Sequence, residues 1–429
     1  MSGQPARRVA ARVAIALVAA LCALAALVAW LNVRDEAAPD AGAAPATPAA
    51  TLVERGAYLA RAGNCMGCHT VAGGARFAGG RAIDTPFGAV VAPNLTPDVA
   101  TGIGAWSAGD FWRALHNGRS RSGRLLYPAF PYPSFTNVTR ADSDALYAYL
   151  RSVPAVARPN DANALRFPFD TQVALAVWRA LYFRPGAFAP DAAQSAAWNR
   201  GKYLVEGLGH CAACHSGRNA LGGIARNAEF AGGLMPDASW YAPSLAAPAE
   251  AGVQGWPREQ VVRLLRDGVA EHAVVSGPMA EVVYASTQYL DRADLDAMAA
   301  YLGALPRREP EPEHEDAERT SDGALARGDK LYASYCAACH GDHGQGVAGA
   351  YPALAGNRLV ALASPNNLVQ LIRHGGFAPA TAGNPRPYGM PPYGQLLDDD
   401  AIAAVSTFVR QSWGNAAGPV TPLQVLQVR

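Results

Sequence analysis

The sequence predicts an all-α fold: one membrane-spanning helix at the N-terminus, then three helical units in tandem. Three observations predict it. Residues Val13 to Leu31 form an unbroken apolar run whose one polar group is the thiol of Cys22. Beyond that run, one plan of helix-patterned segments and turns recurs three times. The length of 429 residues also suits about three domains. Lys and Arg number 36 against 35 Asp and Glu, so a net charge of +1 gives no pull toward nucleic acid.

At the N-terminus, Arg7, Arg8 and Arg12 precede the apolar run and Trp30 stands near its far end. Basic residues before and an aromatic after a run this long read as a span over residues 13–33 with residues 1–12 inside. A cleaved signal peptide is the rival, with small-residue cleavage sites available in residues 37–50. Either way the rest of the chain is exported. Residues 34–50 are rich in Ala and Pro and read as a tether.

The repeats occupy residues 51–154, 196–306 and 323–415. Each opens with a helix carrying a Gly-aromatic pattern: Arg55-Gly56-Ala57-Tyr58, Arg200-Gly201-Lys202-Tyr203 and Arg327-Gly328-Asp329-Lys330-Leu331-Tyr332. Each then has a Pro-x-Leu, at Pro93, Pro243 and Pro352. A short amphipathic helix follows and ends at Gly118, Gly268 or Gly375. Closing helices run from Asp142, Asp291 and Asp398, with acids early, where the positive end of the helix dipole favours them. Residues 155–195 form a connector, expected to pack between repeats because Trp178, Tyr182 and Phe183 need cover. Residues 307–322 form a solvated acidic linker and residues 416–429 a C-terminal tail.

The chemistry lies in Cys65-Met66-Gly67-Cys68-His69, Cys211-Ala212-Ala213-Cys214-His215 and Cys336-Ala337-Ala338-Cys339-His340. C-x-x-C-H is the attachment signal for haem c: two thiols add to the porphyrin vinyl groups and the histidine ligates the iron. Six of the seven cysteines are used in this way. A structural zinc site needs its cysteine pairs close together, and these start at residues 65, 211 and 336. A redox dithiol or a local disulfide would not need the histidine three times. The expected cofactor is therefore three covalently bound haem c groups, with iron on His69, His215 and His340.

The chain resembles the three-haem cytochrome c subunits of bacterial membrane-bound dehydrogenases, of the alcohol and sugar-acid type or the molybdenum-dependent aldehyde and N-heterocycle type. The likeness runs over residues 51–415. It is carried by the haem motifs and by stretches such as Ala92-Pro93-Asn94-Leu95-Thr96-Pro97-Asp98, Leu126-Tyr127-Pro128-Ala129-Phe130-Pro131-Tyr132 and Arg386-Pro387-Tyr388-Gly389-Met390-Pro391-Pro392. The resemblance implies three tandem class I cytochrome c domains. It implies that the carbonyls of Pro93, Pro243 and Pro352 orient the three histidines; plain turn prolines are the alternative for the first two, where the loops are longer.

It also implies axial methionines. Met279 and Met390 fall in the distal loops of repeats two and three, whereas Met298 reads as core, Met235 lies on the wrong side and Met66 cannot reach across. Repeat one has Phe130 in the methionine slot, as a subset of relatives do. The first iron is then five-coordinate or takes another ligand, His116 being the nearest candidate; a structural role is the alternative for His116. His210 is expected at a haem edge, and His272, His314, His343 and His374 on the surface. Arg119, Arg121 and Arg124 either meet haem propionates or form a solvated face.

No nucleophile–base pair and no phosphate cradle is present in the sequence. The expected function is electron transfer without catalysis. Electrons come from a periplasmic catalytic subunit with a molybdenum, quinone or flavin cofactor and go to ubiquinone or a terminal oxidase at the inner membrane. The alternative is a haem enzyme of peroxidase type that uses an open first haem.

Overall fold

The computed structural model describes residues 4–34, 36, 49–225, 227–237, 239–271, 273–308 and 321–428. Most of the tether, residues 309–320 of the acidic linker, His272 and His314 lie outside the described residues. Helix α1 (Gln4–Val33) is exposed over most of its length, its last turn excepted, and its Arg8–Val33 stretch is long and apolar enough to cross a membrane.

Repeat one contains α2 (Ala50–Ala62), α3 (Ala108–Asn117) and α4 (Arg140–Ser152). The connector holds α5 (Gln172–Tyr182). Repeat two contains α6 (Ala196–Lys202), which widens into a π turn at Tyr203–Leu208, then α7 (Arg258–Asp267), α8 (Gly277–Ala285) and α9 (Arg292–Gly303). Repeat three contains α10 (Asp322–Tyr335), α11 (Asn366–His374) and α12 (Asp399–Gln411), followed by α13 (Pro422–Gln427).

In each repeat the first and last helices cross: α2 on α4, α6 on α9, α10 on α12. The Gly-aromatic pattern makes the crossing. A Cβ at Gly56 would overlap the carbonyl oxygen of Ala145, one at Gly201 that of Ala297, and one at Gly328 that of Ala404. Closing helices start where side-chain caps satisfy free N–H groups: Thr139, Asp291 and Asp398 accept from the backbone of Asp142, Asp294 and Ala401.

Helix accounts for 46% of the chain, which is mostly helical as expected, and short strands that the all-α expectation did not include accompany the helices. Strands β1 (Ala82–Thr85), β2 (Gly88–Val91) and β3 (Ala164–Leu165) form an antiparallel sheet in that order. Three further ladders of two residues per strand close distal or proximal loops. These pieces are too short to show a period-2 pattern, and β3 comes from the connector, so pairing of the connector with repeat one completes the sheet.

Packing groups the repeats unequally. One buried apolar core runs through repeats one and two, from Leu59 and Phe111 to Leu295 and Leu302; a second belongs to repeat three. Of the stretch expected as a tail, Val420, Val425 and Val428 are buried beside α12 and belong to that second core.

Repeats one and two are joined by a reciprocal clasp. Tyr58 of repeat one donates to Asp294 of repeat two at 2.7 Å, and Tyr203 of repeat two donates to Asp142 of repeat one at 2.6 Å. Each acid also holds an arginine of its own repeat, Arg200 on Asp294 and Arg55 on Asp142. Burial pushes the Asp294 carboxyl up, but the bonds from Arg200 and Tyr58 outweigh it and leave it below the ordinary range. Repeat three, with a core of its own, meets repeat two through contacts that include Asn367 with the backbone of Tyr241, Thr381 with the carbonyl of Asp267, and Arg358 over the ring of Trp256.

Candidate haem sites

Each C-x-x-C-H motif lies at the end of its repeat's opening helix, folded into a short helical turn. The residue before the first cysteine is left-handed in repeats one and two (Asn64 φ 46°, His210 φ 37°), which turns the chain sharply into the motif. The three histidines then make the same bond. The Nδ1 of His69 is 2.8 Å from the carbonyl of Pro93, that of His215 is 2.7 Å from Pro243, and that of His340 is 2.9 Å from Pro352. A carbonyl can only accept, so Nδ1 carries the hydrogen and the Nε2 lone pair is left for a metal. Burial holds all three imidazoles below their usual pKa, keeping them neutral.

The loops that bring the prolines under the histidines share a device that sequence reading missed. Gly79, Gly232 and Gly346 are left-handed, with φ between 64° and 78°. Their N–H groups donate to the carbonyls of His69, His215 and His340 at 2.8, 3.0 and 2.7 Å. A Cβ on any of them would press on the backbone beside the proline: Pro93 C at 2.5 Å, Ser244 N at 2.7 Å, Pro352 C at 2.7 Å. Two residues earlier, Phe77, Phe230 and Gly344 are also left-handed, and their carbonyls accept the N–H of Leu95, Leu245 and Leu354. Phe-Ala-Gly appears twice in the sequence at these places and Gly-Gln-Gly once, the signal that could have disclosed it.

Two arginines also went unnoticed. Arg81 donates to the Gly67 carbonyl inside the first motif and pairs with Glu281 of repeat two at 2.6 Å; Arg218 donates to the Ala213 carbonyl inside the second at 2.6 Å. No sequence pattern marks them.

No disulfide joins any of the six motif cysteines. Burial pushes Cys65 and Cys211 up to about 12 and Cys336 to about 11, the opposite of the depressed thiol that a redox dithiol requires. Among the described residues no cluster of three or more His, Cys, Asp or Glu side chains could hold an ion. Paired thiols beside a histidine whose Nδ1 is already committed are the donor set of haem c, and the residues fit that group in all three repeats.

Met279 and Met390 are half-buried against the first and second core. Neither lies in an open loop: Met279 is in the first turn of α8, and Met390 is in a two-residue strand paired with Gly376. Phe130 packs on the first core, 5.3 Å from the ring of Phe135. His116 is buried, its Nδ1 2.9 Å from the carbonyl of Thr136 and its ring stacked on Trp112. His210 bridges repeats, packing edge-on against Phe135 and lying 3.4 Å from the carbonyl of Gly63. Arg119 meets Glu36 at 2.8 Å and the carbonyls of Asn32 and Gly123, so it is not part of a solvated face, whereas Arg121 is exposed beside Asp110.

The cytochrome c family model matches residues 53–154 and 325–413. The chain is 38% identical over 410 residues to the cytochrome c subunit of the quinone alcohol dehydrogenase of Gluconacetobacter polyoxogenes, covering 91% of this chain and 85% of that one. It is 37% identical over 395 residues to the cytochrome c subunit of gluconate 2-dehydrogenase of Pantoea cypripedii, covering 88% and 89%. This chain belongs to the cytochrome c subunits of membrane-bound dehydrogenases. A nicotinate dehydrogenase component of Pseudomonas putida is 41% identical over 397 residues; 91% of this chain corresponds to 32% of that longer protein. As a member of this family the chain is an electron-transfer subunit and not the catalytic one. The peroxidase-type alternative finds no support among these relatives.

Proposed function

We propose that this chain is a tri-haem cytochrome c, built as three tandem class I domains, that carries electrons from a periplasmic dehydrogenase subunit to membrane ubiquinone or the respiratory chain. The observation that carries it is the threefold histidine–proline bond beside paired thiols. Bound there, haem c supplies a one-electron carrier. Cys65 and Cys68, Cys211 and Cys214, and Cys336 and Cys339 hold it; His69, His215 and His340 ligate from the proximal side.

Met279 and Met390 would supply thioether ligands in repeats two and three, a set that favours the reduced state and raises the potential. Repeat one has Phe130 in that slot. The clasp and Arg81–Glu281 fix motifs one and two relative to each other. That fixed placement supports direct transfer between these two haems.

Helix α1 anchors the chain in the inner membrane from the periplasmic side. The catalytic partner holds the molybdenum, quinone or flavin cofactor; alcohol, gluconate and nicotinate dehydrogenases among the relatives support this kind of partner. Deleting residues 35–429 should abolish substrate-dependent quinone reduction in membranes and spare dye-linked activity of the catalytic subunit. Quinone reduction that survives the deletion overturns the proposal.

A further inference from the structure

Helix α5 has two unlike faces. Leu175, Arg179 and Ala180 are buried against repeat one, where Arg179 lies over the rings of Tyr132 and Phe183. On the other face Val173, Val177 and Leu181 are 74%, 43% and 56% exposed, a stripe at helical spacing. Phe167, just before the helix, is 82% exposed, and Leu221, whose carbonyl accepts from Trp178, is 47% exposed. Arg166 and Arg184 flank the patch, against one acid, Asp170.

The inner face ties α5 to the end of α1. Asn32, one residue before the end of α1, is buried; its side-chain amide donates to the Ala176 carbonyl at 2.9 Å and accepts from Arg179 Nε at 2.9 Å. Arg119 donates to the Asn32 carbonyl at 2.8 Å and pairs with Glu36. The last turn of α1 is thus bolted to α5. An apolar helix that crosses a bilayer ends at its surface, so a helix bolted to that last turn sits within about one helical pitch, roughly 5 Å, of the same level.

We infer that α5 lies in the headgroup region of the outer leaflet, with Phe167, Val173, Val177 and Leu181 dipping into lipid, and that the first haem unit is seated on the membrane. The occupant of the stripe is the bilayer, because the apolar surface is continuous with α1, and arginines at a rim suit lipid phosphates. The inference rests on the anchor reading of α1.

The test uses the full-length haem-loaded chain in phosphatidylethanolamine–phosphatidylglycerol vesicles. In a Cys22→Ala background, Val173→Cys, Val177→Cys and Leu181→Cys each receive a nitroxide label. Ala363→Cys in repeat three, exposed, is the aqueous reference, and native Cys22 labelled alone reports on α1. The measurement is collision with oxygen relative to a water-soluble nickel chelate. At all three stripe positions the ratio should exceed the Ala363 value several-fold. Stripe labels that read as aqueous while Cys22 reads as acyl chain overturn the seat, keep the anchor, and leave the stripe to a protein partner. Aqueous readings at Cys22 and the stripe overturn both. Lipid readings at the stripe with α1 cleaved uphold the seat without the anchor.

Discussion

Gly79, Gly232 and Gly346 hold each proline carbonyl under its histidine, with a left-handed backbone and no room for a Cβ. Substituting alanine at any one should cost about 1–3 kcal/mol, the range for overpacking, and loosen the histidine–proline bond of that repeat alone. Thermal melts and the haem spectrum check this; a Gly346→Ala variant with unchanged melting and spectrum contradicts it. Met279→Ala and Met390→Ala should each lower one reduction potential and leave a third haem untouched, read by optical redox titration. A titration that shows no change for both refutes the ligand assignment. At this scale the attachment chemistry was legible because C-x-x-C-H is contiguous. The glycine clamps were not, because their spacing from the histidine differs in each repeat. Arg81 and Arg218 reach carbonyls that only the fold brings near.

Among the elements, the opening and closing helices were legible from the Gly-aromatic pattern and the early acids; their crossing was not read, although a residue without Cβ in mid-helix asks for a close neighbour. What the acids of α4 and α9 do was not legible either. Their early placement suits the helix dipole, yet Asp142 and Asp294 also bind tyrosines of the opposite repeat. Tyr58→Phe or Tyr203→Phe leaves a buried carboxylate short of a donor and should cost about 1–3 kcal/mol. A calorimetric midpoint equal to wild type in both variants contradicts the clasp. Asp294 also sets a pH dependence. Its folded pKa is depressed, so its contribution is present above the unfolded value near 4 and is lost as pH falls through the lower folded value. Wild-type stability should therefore drop below about pH 4 more steeply than that of Asp294→Asn, which starts lower at neutral pH. Equal slopes in the two proteins would remove Asp294 from that role.

Across the whole molecule, three sequence repeats pack as two cores, a grouping that follows from side chains such as Leu208, Tyr203 and Tyr58 meeting across repeats. No periodicity within one repeat carries that information. Repeat three has a core of its own, and the acidic linker precedes it, so protease cleavage within residues 307–322 should release a two-haem and a one-haem piece, each retaining its spectrum. The central claim is that all three repeats carry haem c in one electron-transfer subunit. The motif at Cys211 and Cys214 decides the count, since the family model matches residues 53–154 and 325–413 around the other two. The most direct test is the intact mass of the purified exported chain, with and without Cys211→Ala/Cys214→Ala. The account predicts three covalent haems on the wild type and two on the variant; two on both would contradict it.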